Sequence, residues 1–99
     1  MMTRNRVTAA QKEGERMEYA SLYIDRIRSL CKKRGISINK LATMSGLKQS
    51  TLDNIVRGQT KNPRVKTLHK LAIGLNMTLA ELLDFPALND YSFEDDTDE

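Results

Sequence analysis

In LATMSGLKQSTLDNIVRG, Leu41 to Gly58, two kinds of side chain alternate at helical spacing. Leu52, Ile55 and Val56 fall on one side of its second half, and Lys48, Gln49, Ser50, Asp53, Asn54 and Arg57 fall on the other. The polar set can match the edges of nucleobases. Gln and Asn each carry an amide that can bond N6 and N7 of adenine together. Ser can donate or accept, and Asp can accept from N4 of cytosine or repel phosphate. A helix carrying these groups is of use only if its other side is fixed to a body, so that the polar side can enter a major groove.

The elements around it meet that demand. Two short helices joined by a tight turn containing Gly form a helix-turn-helix pattern. Where the two helices touch, a small residue is required, and Ala42 supplies it. Gly46 can take the positive φ that the turn requires. Leu41, Leu47, Leu52 and Ile55 face back toward the rest of the chain.

Charge points the same way. The formal net charge of +3 divides into +11 over residues 1–75, with all 16 Lys and Arg against five acids, and −8 over residues 76–99. From Lys32 to Lys70 there are ten bases and one acid, Asp53. A solvated surface with an acidic tail can have such a balance, but this concentration favours a polyanion as partner.

Other chemistries find little support. His69 and Cys31 are the only His and Cys, too few for a four-ligand zinc site. As a nucleophile pair they would need adjacency in a cleft and an orienting group. No glycine-rich phosphate loop appears. We expect no enzyme activity, no metal and no cofactor. No apolar run approaches the roughly 18 residues of a membrane span. The start has no apolar core, so it is not read as a secretory signal. A single cysteine suits a reducing, cytoplasmic location.

Few glycines, prolines and aromatics, with abundant Leu, Ile, Ala, Lys and Met, predict an all-α chain of one domain. A first helix runs from about Met17, or from Ala9 if Thr8 and Gln11 form a capping box, to Lys32–Gly35. Ser37 caps a second over Ile38–Ser45, and a third runs from Gln49 to Val56. Pro63 interrupts the loop QTKNPR before a fourth helix, Val65 to Leu75. Thr78 and Glu81 form a capping box for a fifth, Thr78 to Leu83, ended by Phe85-Pro86. The remainder is acidic and low in structure signals, with Leu88, Tyr91 and Phe93 as possible anchors. This gives a polar basic arm or helix extension (1–18), a helix-turn-helix domain (19–86) and an acidic tail (87–99).

From about Ile24 to Leu83 the chain resembles the helix-turn-helix domain of lambda-repressor/Cro-like (XRE-type) regulators. The resemblance is carried by SINKLATMSGLKQSTLDNIVRG and then QTKNPRVKTLHKLAIGLNMTLAELL. It implies a five-helix, lambda-repressor-like DNA-binding domain acting on operator DNA, usually as a homodimer. The base-reading positions it implies are Gln49, Ser50 and Asn54, with Lys48 and Asp53 beside them. The phosphate contacts it implies are Lys61, Asn62 and Arg64 in the loop, with Arg57 before them and Lys40 as a further candidate.

Three positions depart from the family pattern. Ile38 stands where a Gln often contacts phosphate and braces the recognition helix, and it can do neither. Cys31 and Val56 stand where the family often pairs an Arg with a Glu. Both ends are replaced together, so no buried charge is stranded and Cys31 is expected in the core. The expected function is that of a sequence-specific double-stranded DNA-binding transcriptional regulator, a repressor acting by operator occupancy. The alternative is an antitoxin-type protein-interaction module that also binds its own promoter, with a protein partner held through the acidic tail. A third reading has that tail compete with DNA for the basic face. Candidate dimer surfaces are the fifth helix with Phe85 and Leu88, and the segment with Tyr19, Leu22 and Tyr23.

Overall fold

The computed structural model of the chain describes residues 19–93. The arm at residues 1–18, its Thr8–Gln11 capping box and the last six residues lie outside them. Helices α1 (Ala20–Arg34), α2 (Ile38–Ser45), α3 (Gln49–Val56), α4 (Val65–Gly74), α5 (Leu79–Leu83) and α6 (Pro86–Asn89) follow in order, with no strand among the described residues. The expected all-α architecture is therefore present, and the first five helices coincide with the expected ones to within a residue where both ends are described.

Local chemistry sets the boundaries. The Ser37 hydroxyl accepts from the Lys40 backbone N–H at 3.0 Å and starts α2. Gly46 ends it at φ 71°, and the Leu47 N–H reaches back to the Ala42 carbonyl at 2.9 Å, closing the turn between α2 and α3. The capping box of α5 is complete: the Thr78 hydroxyl accepts from the Glu81 N–H at 3.0 Å, and the Glu81 carboxylate accepts from the Thr78 N–H at 2.8 Å.

The core gathers one apolar stripe from each helix. Ile27, Leu30 and Cys31 of α1 meet Leu41 and Ala42 of α2, Leu52, Ile55 and Val56 of α3, Leu68, Leu71 and Ala72 of α4, and Leu82 of α5. α2 packs against both α3 and α4, while α1 packs against α2 and α3. Cys31 is 4% exposed, and Val56 is buried beside the same cluster. The departure at both positions is thus filled by apolar contact. Burial pushes the Cys31 thiol upward, an effect that the nearby Arg28 and Arg34 partly oppose. Ile38 packs half-buried against this core and not outward.

The α2–α4 contact is tighter than the sequence reading anticipated. A Cβ on Gly74 would run into the Ser45 hydroxyl and lie 3.1 Å from its Cα. Gly74 therefore lets the two backbones approach, a role the sequence reading gave only to Ala42.

The C-terminal region differs from the expected tail. Phe85-Pro86 ends α5 but also begins α6, because Pro at the first helical position has its φ set for a helix and needs no donor there. The boundary drawn at residue 86 thus cuts into a helix. Beyond it, Tyr91 and Phe93 pack on Tyr19, with centroids 5.0 and 5.5 Å away, and Tyr19 in turn meets Tyr23 edge-on at 5.5 Å. Burial, and then a hydrogen bond with Tyr19, push the Tyr23 hydroxyl up from its ordinary value. The anchoring expected of Tyr91 and Phe93 takes this form.

Candidate nucleic-acid interface

α3 is amphipathic in the manner its sequence implies. Leu52 and Ile55 are no more than 2% exposed and Val56 is buried, while Lys48, Gln49, Ser50, Asn54 and Arg57 are exposed. Lys48 sits at the N-cap without a side-chain capping bond. Asp53 is half-buried and pairs with Arg57 one turn on, its Oδ2 lying 3.1 Å from Arg57 Nε. In sequence these two side chains suit separate partners on DNA, and the fold brings them together.

The following loop is tied to this helix. The Gln59 and Thr60 N–H groups both donate to the Asn54 carbonyl, at 2.9 and 3.1 Å. Pro63 is buried and fixes the far end, while Lys61, Asn62 and Arg64 around it are exposed. Arg64 is also the N-cap of α4. The loop candidates thus stand on a short segment anchored to α3 at one end and to the core at the other. Lys40 is exposed on a different helix, α2.

Three arginines of α1 do something the sequence reading missed. Arg26 donates from Nε to the Leu82 carbonyl at 3.0 Å and from Nη2 to the Glu81 carbonyl at 2.7 Å. Its guanidinium also lies over the Phe85 ring, 5.0 Å from the centroid. Arg34 Nε donates to the Leu75 carbonyl at 3.1 Å, and Arg28 Nη2 reaches the Val56 carbonyl at 3.5 Å. Each cation meets the carbonyl-rich C-terminal end of a different helix, where unsatisfied acceptors and the helix dipole favour positive charge. The partners lie 28 to 56 residues away in sequence, so no local signal announces them. Arg28 thereby meets the end of α3 at Val56.

Phe85 is only 9% exposed, and Tyr19 and Tyr23 are met by the chain's own aromatic side chains. Leu22 and Leu88, the other residues of the two surfaces considered for a dimer, are half-buried. Ile73 on α4 is 64% exposed, beside a shallow depression that it lines with Asn76, Met77, Thr78 and Glu81. Among the described residues no helix is long and apolar enough to cross a membrane, and no group of three potential metal ligands occurs.

Comparison with known proteins adds to this geometry. The model of the Cro/C1-type helix-turn-helix DNA-binding domain matches residues 26–87. The chain is 45% identical over 58 residues to the HTH-type transcriptional regulator SlrR of Bacillus subtilis, a match covering 59% of this chain and 38% of SlrR. It is 39% identical over 69 residues to an uncharacterised HTH-type transcriptional regulator of Haemophilus influenzae, covering 67% of this chain and 69% of that protein. Among solved structures, an HTH_3 family transcriptional regulator from Vibrio cholerae superposes with a TM-score of 0.59 at 27% identity, over 79% of this chain and 38% of that one. The restriction-modification controller protein C.AhdI from Aeromonas hydrophila superposes with a TM-score of 0.56 at 36% identity, over 65% of this chain and 94% of that one. The chain thus spans well under half the length of SlrR and of the Vibrio regulator. With its two short helices around Gly46, its buried apolar stripe and this match over residues 26–87, the chain belongs to the Cro/C1-type helix-turn-helix DNA-binding domain family.

Proposed function

We propose that the protein is a sequence-specific double-stranded DNA-binding transcriptional regulator, a repressor that acts by occupying its operator. The observation that carries this reading is the exposed face of α3. Gln49, Ser50 and Asn54 stand clear of a side that is otherwise buried. In a major groove, Gln49 and Asn54 would take adenine edges and Ser50 either kind of group. Lys48 would stand beside them at the mouth of the helix. Lys61, Asn62, Arg64 and Lys40 would bond phosphates and set register and affinity. As a homodimer the protein would read two half-sites about 34 Å apart, one turn of DNA. Val65 and Ile73, both 64% exposed on α4, are large apolar side chains left open, and Ile73 is the proposed dimer contact. The cytoplasm is the proposed location, and catalysis plays no part.

The test is selection of bound fragments from a random duplex pool at about 0.15 M salt. Enrichment of a two-fold symmetric sequence is expected. Salt-sensitive binding with no enriched sequence would contradict the reading.

A second reading draws on the aromatic anchor. Tyr91 and Phe93 hold the chain against the start of α1, and five acids follow within the last six residues. That acidic end is a candidate handle for a protein partner. Removing residues 94–99 leaves the anchor intact. If the end holds a partner, the partner is lost and DNA affinity is unchanged. If it competes with DNA, affinity rises.

A further inference from the structure

Asp53 and Arg57 pose a question that the reading of α3 leaves open. An acid at the centre of a surface meant for a polyanion is unfavourable alone, since phosphates line both edges of a groove. Its position is central. At 100° per residue, Asp53 lies about 40° around the helix from Gln49, Arg57 about 80°, Ser50 about 100° and Asn54 about 140°. Viewed down the axis, Arg57, the C-cap residue of α3, therefore falls inside the arc that Gln49 and Asn54 bound, roughly 12 Å along the helix from Gln49. It is also 65% exposed at the side chain, against 47% for Asp53.

The contact has a definite chemistry. Asp53 Oδ2 takes Arg57 Nε at 3.1 Å. That leaves the terminal Nη1–Nη2 edge of the guanidinium to other acceptors. This edge is a rigid fork of parallel donors, matched to two acceptors side by side. Guanine offers such a pair, O6 and N7, in the major groove. The Asp53–Arg57 pair also has no net charge, so it adds little of the general attraction to phosphate that a free arginine supplies. A phosphate clamp would be better served by Arg57 alone.

We infer that Arg57 reads a guanine rather than gripping phosphate, and that Asp53 is its positioning residue, holding Nε so that the Nη1–Nη2 fork faces O6 and N7. This rests on α3 being the helix that enters the groove. It replaces two earlier expectations, Arg57 as a backbone contact and Asp53 as a reader of cytosine, with one joint role.

The experiment repeats the duplex selection with the wild-type chain and with Arg57→Ala, Arg57→Lys and Asp53→Asn, each first shown to be folded by circular dichroism. In the wild-type site one position per half-site is expected to be a fixed guanine. Arg57→Ala should lose that preference, by roughly tenfold or more, while the remaining positions keep theirs. Arg57→Lys keeps the charge but has no fork, so it should lose the guanine and retain affinity for random duplex. Asp53→Asn should weaken the guanine preference and raise affinity for random duplex, with a steeper salt dependence. The inference is overturned if Arg57→Ala selects the wild-type sequence with affinity lowered uniformly, or if Asp53→Asn leaves the guanine preference intact. If the wild-type chain itself enriches no sequence, the reading of α3 fails and this inference with it; only that outcome appears without any variant.

Discussion

α1 and the segment from α3 through its loop are both rich in bases, yet they use them in opposite ways. On α1, Arg26, Arg28 and Arg34 turn to carbonyls at the ends of α5, α3 and α4. On the α3 side, Lys48, Lys61 and Arg64 are exposed, and among the described residues Arg57, at the C-cap of α3, pairs with Asp53 one turn before it. The same residue type is a fastener in one place and a presented group in the other. Clustering of bases in sequence cannot separate the two, because the deciding contacts lie far apart along the chain.

Substitutions that disturb the body without touching the α3 face sharpen this contrast most. Gly74→Ala should have the largest effect, because a methyl group there collides with Ser45 and must push α2 from α4. A loss of about 3 kcal/mol is expected from such overpacking, read as a fall in thermal midpoint, with DNA affinity of the folded fraction retained. Arg26→Ala removes two hydrogen bonds and the ring contact, and should cost about 2 kcal/mol, again with DNA affinity kept. The contrast breaks if Arg26→Ala leaves the midpoint in place and weakens DNA binding instead.

Lys61→Ala is the reverse case. It should leave the thermal midpoint nearly unchanged, lower affinity for every duplex alike and flatten the salt slope by about 0.9. Cys31 gives the smallest effect, visible only in alkali. Its folded thiol is raised by burial, so the folded state prefers the protonated form. Below the ordinary thiol value of 9.0 that preference is fully present. Above it, the unfolded thiol ionises first and stability falls, by up to about 1.4 kcal/mol per pH unit. The pH profile of unfolding for Cys31→Ala should lack that slope.

The parts of the fold that were legible in the sequence are those governed by neighbours within a turn or two. Ser37, Gly46, Thr78 and Glu81 act on backbone groups three to five residues away, and the stripe Leu68, Leu71, Ala72 and Leu75 follows a 3.6-residue period. The exposed candidates on α3 were legible for the same reason. What escaped depends on distant partners. Gly74 carried a signal, a glycine inside an otherwise apolar helix, but its meaning lies in Ser45, twenty-nine residues earlier. Arg26 and Arg34 carried none. Pro86 had a double meaning, a stop for α5 and a start for α6, and the residues before it suggested only the first. The Asp53–Arg57 pair follows the familiar i, i+4 spacing and could have been anticipated from it.

The most direct test of α3 as a base-reading helix compares Gln49→Ala with the wild-type chain on the selected duplex and on a shuffled duplex of the same composition. A loss of roughly 1–3 kcal/mol on the selected duplex, with binding to the shuffled one unchanged, is expected. Equal losses on both would contradict base reading by Gln49 and reduce the exposed face of α3 to a general contact with the DNA backbone.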